Sequence, residues 1–512
     1  MHLKMRQILI VLTFLATNAG AQECGRQTGC PKSGGLDLMQ IRSNVDKEAA
    51  VDKDADWDEA DAADEEVECE VSSIAKDYYT KPPEHEFSCH IDGESDEDDM
   101  ELDVDGIEDA HERFHPQTGD RITLRGRRFR RRGRKNFKVR GFRVRRRGRG
   151  RRASFLQTVA SEGVETRTAA VLMVRFLDAN GNLVPSSMDT VEERKSFSIG
   201  VNNSLFGTFD HTNSQTHAGA WHDCSYGKLQ MQFDVDQGEN DLAQDVPGEK
   251  ADVFYIDVPL VCDTSVDPYC PGTYDSVNNC GSAEFYGWPR YAFKKFADTK
   301  PGLSKSTWQH WVVIFPRDVV KCSFVGMGNV GCSRTNCYSW IPHDYSTKIQ
   351  DYTHELGHNL GLAHAGINGG SEYGDHSCAM GFCCTVRCYN APHSYELGWL
   401  TPSLELNKDN FPSQLSSVPL RSMSLHSDGA IAITADWVSP VNVYWVQLKT
   451  AHSYDTYMRS SWRNNVQIKR WNKGGYEISQ HLSTLTAGQS WTSDDGEVMV
   501  TVESIDTSST MT

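Results

Sequence analysis

The stretch that decides the fold is His354–His364, which reads HELGHNLGLAH. On an α-helix, residues four apart lie on one face, so His354 and His358 can direct two imidazoles at one ion. Glu355 lies beside them, where its carboxylate can reach a metal-bound water. The spacing predicts a helix that carries two metal ligands, with Glu355 as the catalytic general base.

Gly361 and His364 complete this pattern. Glycine tolerates the left-handed backbone conformation that other residues resist, so Gly361 lets the chain leave the helix sharply. The turn then brings His364 in as a third ligand. Three protein nitrogens leave one coordination position open for water, as a catalytic zinc requires and a closed structural site does not. We therefore predict Zn²⁺ as the cofactor.

Met380, in the segment CAMG at 378–381, lies 16 residues beyond the third histidine. A methionine by itself is more often a core residue. Together with the extended histidine motif, however, it resembles the metzincin peptidases, in which a methionine turn runs beneath the metal. The resemblance implies that Met380 forms this turn.

Further segments narrow the resemblance to one branch. They are YGD at 373–375, RCYNAPH at 387–393 and LGW at 397–399, followed by Tyr444, Tyr454-Asp455, Leu485 and Gly488-Gln489. Spread between roughly 165 and 505, these segments resemble the gametolysin family, which comprises the autolysins of green algae and related sequences. The Asn-Ala-Pro-His segment after the methionine points most directly to this branch.

The family resemblance implies a secreted zinc metalloendopeptidase that cleaves extracellular matrix or cell-wall glycoproteins, in particular those rich in proline or hydroxyproline. Zinc-activated water would attack the peptide bond. Two other interpretations stay open. One is a matrix-binding protein with an inactive or incidental protease domain, although Glu355 and the three histidines are all intact. The other is a peptidase of a different metzincin branch with another substrate.

The segment from 165 to 400 has the pattern of a compact α/β domain. Residues 347–360 show helical periodicity and precede Gly361. Short apolar or alternating runs typical of strands lie at 169–177, 228–235, 253–258 and 311–315. This pattern predicts a metzincin-type catalytic domain with a mixed sheet and an active-site helix.

The segment from 401 to 512 contains no cysteine and reads as strands and turns. Strand-like runs lie at 430–434, 443–448, 466–470 and 498–502, with turn sequences at 473–475 and 494–496. We predict a separate all-β domain at the C-terminal end.

Residues 1–21 read as a secretory signal peptide. Lys4 and Arg6 precede the apolar run 8–16, and Ala19-Gly20-Ala21 provides a small-residue cleavage site. This run is too short to cross roughly 30 Å of hydrocarbon, and no later segment is long and apolar enough. The sequence predicts a secreted, extracellular protein without a membrane span.

Two blocks of opposite charge follow the signal peptide. Residues 46–109 contain 27 Asp or Glu against four Lys, whereas residues 121–152 contain 18 Arg or Lys and no acid. Low apolar content predicts disorder or loose structure from 22 to about 110. Alternating apolar residues predict a small β ribbon at 120–146.

Three functions are open for the basic block: polyanion binding, processing by a protease, and formation of the ribbon. Secretion makes nucleic acid an improbable partner, and we favour the last two together. The hypothesis is that 22–152 is a largely disordered pro-region whose acidic block folds back onto the basic one. Cleavage near Arg151-Arg152 would release the mature enzyme, beginning at Ala153 or Ser154.

The 15 cysteines agree with export, because disulfides persist in oxidising compartments. An odd number leaves at least one thiol free or bonded to another molecule. The cysteines at 378, 383, 384 and 388 favour disulfides below the active site over a second zinc site. Cys69 or Cys89 is a candidate for a pro-segment thiolate that closes the zinc's open position.

Overall fold

An eleven-stranded sheet runs through the N-terminal and central parts of the chain, and a six-stranded sheet lies towards the C-terminal end. The computed structural model describes residues 64–78, 81–91, 100–104, 116–131, 134–144, 164–186, 188–206, 215–232, 252–332, 337–381, 385–411, 417–473 and 476–505. The predicted signal peptide and the Arg151-Arg152 pair lie outside these residues.

Five strands near the N-terminus close into a small barrel, here called the N-terminal barrel. Pairing runs β1-β2-β3-β5-β4-β1, with β3 and β5 parallel and the other neighbours antiparallel. This is the strand order of an OB-fold barrel. The strands are β1 (Glu65–Asp77), β2 (Glu84–His90), β3 (Met100–Asp103), β4 (Arg121–Arg131) and β5 (Arg134–Val144).

The barrel differs from the loose structure expected of the acidic block. In β1, Val67, Cys69 and Val71 are buried inside the barrel, whereas Glu66 and Glu68 are exposed. A few inward residues at the strand period therefore suffice to build a core inside an acidic sequence. The expectation for 22–63 lies outside the described residues, and the ribbon expected at 120–146 coincides with β4 and β5.

Two acidic residues at the start of β1, within the acidic block, contact the basic hairpin of β4 and β5. The Asp64 carboxylate lies 3.1 Å from Arg127 and 3.4 Å from Arg140, and Glu65 lies 2.9 Å from Arg128. These pairs are partly exposed, so each contributes little to stability. Their main effect is to neutralise charge along the hairpin.

The segment from 165 to 400 contributes six strands to the large sheet. Strand β6 lies next to β11, β13 follows β11, and only β12, at the far edge, runs antiparallel. Both β7 and β8 pair with β6. The strands are β6 (Glu165–Leu177), β7 (Leu229–Gln232), β8 (Val253–Pro259), β11 (His310–Phe315), β12 (Gly326–Asn329) and β13 (Cys337–Pro342), with a small ribbon of β9 (Val261–Cys262) and β10 (Tyr274–Asp275).

Helices cover both faces of this sheet. The helices are α1 (Val191–Leu205), α2 (His217–Cys224), α3 (Ser282–Thr299), α4 (Ile349–Asn359) and α5 (Ala391–Glu396). Every residue of β11 is buried, as expected for a strand packed on both sides. The prediction of a mixed sheet is confirmed, and helix α4 carries the first two histidines of the motif. No helix in the described residues is long and apolar enough to cross a bilayer.

The six-stranded sheet crosses the boundary predicted at 401. Its first strand, β14 (Ala365–Ile367), follows His364 directly and pairs in parallel with β19 (Ser479–Leu485). The predicted separate domain is thus joined to the catalytic segment through a shared sheet. The order is β14-β19-β18-β17-β16-β15, with β15 (Leu404–Leu406), β16 (Ala430–Ala435), β17 (Asn442–Lys449) and β18 (Asn465–Arg470); β20 (Ser490–Thr492) and β21 (Met499–Thr501) form a hairpin.

Five disulfides lie within the described residues. One joins Cys69 to Cys89 inside the N-terminal barrel, so the hypothesis that one of these thiolates closes the zinc site is wrong. The other four join Cys224 to Cys388, Cys262 to Cys270, Cys280 to Cys322 and Cys332 to Cys337. Cys378 is buried and unpaired, and Cys383 and Cys384 lie outside the described residues.

Candidate metal centre

Helix α4 positions the first two histidines and Glu355. It ends where Gly361 adopts a φ of +94°, a conformation that favours glycine. The Gly361 N–H donates to the His358 carbonyl at 2.8 Å, and the Leu362 N–H donates to the Gly357 carbonyl at 3.1 Å. This pattern closes the helix and turns the chain back, so that His364 faces the same point as the helix histidines.

The three imidazoles share one arrangement of hydrogen bonds. The Nδ1 atoms of His354 and His358 lie 2.9 Å from the carbonyls of Ala379 and Leu362. The Nδ1 of His364 lies 2.6 Å from the Glu372 carboxylate. Because these partners are acceptors, a proton on each Nδ1 would leave each Nε2 lone pair available to a metal ion.

The three Nε2 atoms are buried and make no well-formed hydrogen bond among the described residues, although the Asp77 carboxylate lies 2.9 to 3.4 Å from them. They converge, since the centroids of the three rings lie 4.8 to 5.4 Å apart. Buried polar atoms without a partner are rare in folded proteins, and a bound cation would satisfy all three. Three imidazoles, each with a second partner at Nδ1, are a donor set that fits Zn²⁺.

Glu355 is buried beside this cluster, and one of its carboxylate oxygens has no hydrogen-bond partner. Burial raises the pKa of Glu355 well above its usual range, and the negative charge of Asp77 raises it further. A Cβ atom at Gly326 of strand β12 would collide with this carboxylate. Glycine at 326 thus lets the edge strand pass directly over Glu355.

Met380 lies under helix α4, where the sequence placed a methionine turn. Its side chain is fully buried, and its carbonyl accepts a hydrogen bond from the Ala365 N–H at 2.9 Å. The neighbouring Ala379 carbonyl holds His354. The turn therefore contacts the residues at both ends of the histidine motif, and the Met380 side chain packs against helix α4 at Gly357.

We expect Gly357→Ala to destabilise this centre. The added Cβ would lie 2.5 Å from the Met380 sulfur and 3.1 Å from the Tyr389 hydroxyl, both of them buried. Overpacking of this kind costs about 1–3 kcal/mol. Thermal unfolding measures the loss, and Gly272→Ala is the control because no atom lies within 4 Å of the added Cβ. Equal melting temperatures for the two variants would contradict the tight packing.

Two buried lysines from the six-stranded sheet hold the loop around Met380. The Lys469 ammonium lies 2.6 Å from the Asp375 carboxylate and 2.8 Å from the Ser377 hydroxyl. The Lys449 ammonium donates to the carbonyls of Ser377 and Cys388 at 2.8 and 2.9 Å. The six-stranded sheet is therefore part of the structure that supports the histidine site.

The Asn-Ala-Pro-His segment has a clear local role. The Asn390 side chain caps helix α5 by accepting a hydrogen bond from the His393 N–H at 3.1 Å. Proline suits the first turn of a helix, where its missing N–H costs nothing. The Asn390 amide also donates to Asp375 at 3.0 Å, so this segment fixes the loop that carries Met380.

Several residues of the site were missed by sequence reasoning. Glu372 and Tyr373 approach His364 from the loop that follows it, and Tyr476 lies with its hydroxyl 3.3 Å from the His358 Nδ1. Asp77 of the N-terminal barrel lies among the three histidines. The YGD segment drew attention to Tyr373, but nothing in the sequence pattern indicated Asp77, which is distant along the chain.

Comparison with known proteins places these features in context. The model of the family "Gametolysin peptidase M11" matches residues 199–488, which include the three histidines, Glu355 and Met380. A relative, "Autolysin" of Chlamydomonas reinhardtii, is 38% identical over 88 residues. That alignment covers 16% of this chain and 14% of the relative.

Proposed function

Because this chain belongs to the gametolysin peptidase M11 family, we propose that it is a secreted zinc metalloendopeptidase of the metzincin type. Its substrates would be glycoproteins of an extracellular matrix or cell wall, with proline- or hydroxyproline-rich segments. Membership in a peptidase family already implies a protein substrate. Beyond family membership, we propose that the metal is zinc, that the named residues have the roles given below, and that the substrates belong to this class of glycoprotein.

The convergence of three buried Nε2 atoms on one point, with no well-formed hydrogen bond to any of them, carries this proposal. His354, His358 and His364 would hold the zinc, each kept in the right tautomer by its Nδ1 partner. Zinc held by these residues would polarise a water and a peptide carbonyl and would lower the pKa of that water towards about 7.

Glu355 would supply the proton transfers. Its carboxylate is next to the ligands on helix α4, buried and only partly hydrogen-bonded. It would accept the proton of the attacking water at one oxygen and then donate it to the leaving amine. Burial favours this role, because it raises the pKa of Glu355, and a raised pKa makes the carboxylate a stronger base.

The substrate class rests on likeness rather than on contacts. The relative is named an autolysin, and the predicted signal peptide agrees with action outside the cell. The five disulfides also suit an oxidising compartment. A matrix glycoprotein is therefore the first substrate to try.

The test uses secreted protein that has been cleaved in the arginine-rich segment before Ala153. We expect it to cut a proline-rich glycoprotein, to lose this activity with a zinc chelator and to regain it when zinc is added. Metal analysis should show that His358→Ala loses the ion, whereas His452→Ala, which changes a partly exposed histidine outside the centre, keeps it.

Each alternative has its own outcome. Bound zinc without cleavage of any protein would favour the matrix-binding interpretation. Chelator-sensitive cleavage at sites unrelated to proline would retain the peptidase and reject the proposed substrate class. Retention of the metal by His358→Ala would reject the proposed ligand set.

A further inference from the structure

The carboxylate of Asp77 occupies the centre of the histidine cluster. Its oxygens lie 3.3 Å from the Nε2 of His354, 3.4 Å from that of His358 and 2.9 Å from that of His364. All four potential ligand atoms lie within 4.8 Å of one another, and all four residues are buried. Asp77 thus faces the position that three histidine ligands leave open.

Asp77 reaches this position because β1 continues beyond the barrel. Pairing with β2 ends at Lys76, whereas residues 74–77 pair antiparallel with 329–326 of β12. The N–H groups of Val325 and Val330 each donate at 2.9 Å to carbonyls of β1, those of Asp77 and Ser73. The free edge of the catalytic sheet is therefore covered by a strand of the N-terminal barrel.

Strand addition to a sheet edge is also how many proteins bind extended peptides. An extended substrate laid along β12 would pass over the histidines at the level of Glu355, since Gly326 and Gly328 bring this strand against helix α4. Residues 74–77 occupy that path. The N-terminal barrel and a substrate would then compete for one edge.

Side-chain contacts hold the barrel in this pose. The Tyr373 hydroxyl donates to Asp77 at 2.6 Å from the loop after His364. At the other end of the pairing, the Asn329 amide donates to Tyr286 at 2.7 Å, and the Tyr286 hydroxyl lies 2.5 Å from that of Ser72. The pose thus rests on contacts at both ends of the shared edge as well as on Asp77.

From these contacts, and on the premise that the histidines hold zinc as proposed above, we infer that Asp77 is the fourth ligand of the metal in the uncleaved chain. Residues 74–77, including Asp77, act as an inhibitor that occupies the place of a substrate strand. A carboxylate oxygen is an accepted zinc ligand. Once bound there, it fills the water's position and leaves Glu355 without a proton to accept.

The disulfides of the described residues do not tie the N-terminal barrel to the rest of the protein. In the described part of the chain, one disulfide lies within the barrel and four lie between 224 and 388, so none joins the two parts. Cutting the connection before Ala153 would convert an intramolecular contact into a bimolecular one. The effective concentration of the inhibitory strand at the metal centre would then fall to the concentration of the free N-terminal barrel.

The experiment uses the full chain, kept uncut by Arg151→Ser and Arg152→Ser and loaded with Co²⁺, whose visible spectrum reports its ligands. Asp77→Ala and Asp77→Asn are compared with Glu66→Ala, which changes an exposed residue of the same strand. We expect only the Asp77 variants to change the spectrum and to bind acetohydroxamate roughly tenfold or more tightly than the parent. They should also cleave peptide without processing.

Identical spectra and equal hydroxamate binding in the parent and Asp77→Asn would overturn the inference. So would full peptidase activity of the uncut parent chain. Asp77→Asn keeps the size of the side chain, so it separates loss of the ligand from collapse of the strand. If the Asp77 variants change the spectrum but cleaved protein hydrolyses no substrate, the inference stands and the peptidase proposal fails.

Discussion

Glu355→Gln is expected to lower kcat/KM about 10²–10⁴-fold, the usual contribution of a general acid–base group, while the zinc content stays unchanged. The amide has nearly the same shape, and the Nε2 atoms that would hold the metal belong to other residues. Glutamine accepts no proton at neutral pH, so the loss would fall on turnover rather than on metal binding.

Steady-state kinetics on cleaved protein, together with metal analysis of the same sample, measure this effect. Glu192→Gln, an exposed position in the first turn of helix α1, is the matched control and should retain full activity. Comparable turnover of Glu355→Gln and the control would remove Glu355 from the mechanism. Loss of zinc from Glu355→Gln would instead assign it a role in holding the metal.

The histidine cluster could be predicted from sequence because its information is local. Helical spacing places His354 and His358 on one face, and Gly361 returns the chain, so eleven consecutive residues determine the arrangement. The mixed sheet was also predictable, because strands such as β11 are continuous apolar runs. An apolar run predicts a buried strand directly, so the strands of this sheet could be recognised in the sequence.

The N-terminal barrel was harder to predict because charged residues are abundant in its strands. In the barrel part of β1 only alternate positions face the core. Their side chains pack against residues of β4 and β5, which lie more than 40 residues away in the sequence. Composition averaged over the whole block hides this alternation. The position of Asp77 depends on β1 pairing with β12, a contact between distant segments that no local pattern encodes.

The partners of the Met380 loop were unpredictable for the same reason. Lys469 lies on strand β18 and has the sequence context of an ordinary surface lysine, beside Arg470. In the structure its side chain is fully buried against Asp375, with both side chains at 0% exposure. This contact links residues on the two sides of position 401, because the loop beneath the histidines pairs its Asp375 charge with a lysine of the six-stranded sheet.

Lys469→Met should therefore destabilise the protein by about 3–5 kcal/mol, because it leaves the Asp375 charge buried without its partner. Native proteins are stable by only about 5–15 kcal/mol, so a large part of the stability would be lost. Equilibrium denaturation measures the change. Lys473→Met, which breaks a partly exposed pair with Glu405 at 3.2 Å, is the control and should cost less than about 1 kcal/mol.

A second substitution separates charge from packing. The double variant Lys469→Met/Asp375→Asn no longer has an unpaired buried charge at position 375. The amide oxygen can still accept a hydrogen bond from Ser377. We therefore expect the double variant to regain much of the stability that Lys469→Met loses. Because the loop that contains Asp375 also carries Ala379, whose carbonyl holds His354, the single variant should release zinc faster than the double variant. Equal stability of Lys469→Met and Lys473→Met would show that the buried pair does not fasten this loop, and the six-stranded sheet would then be only a neighbour of the metal centre.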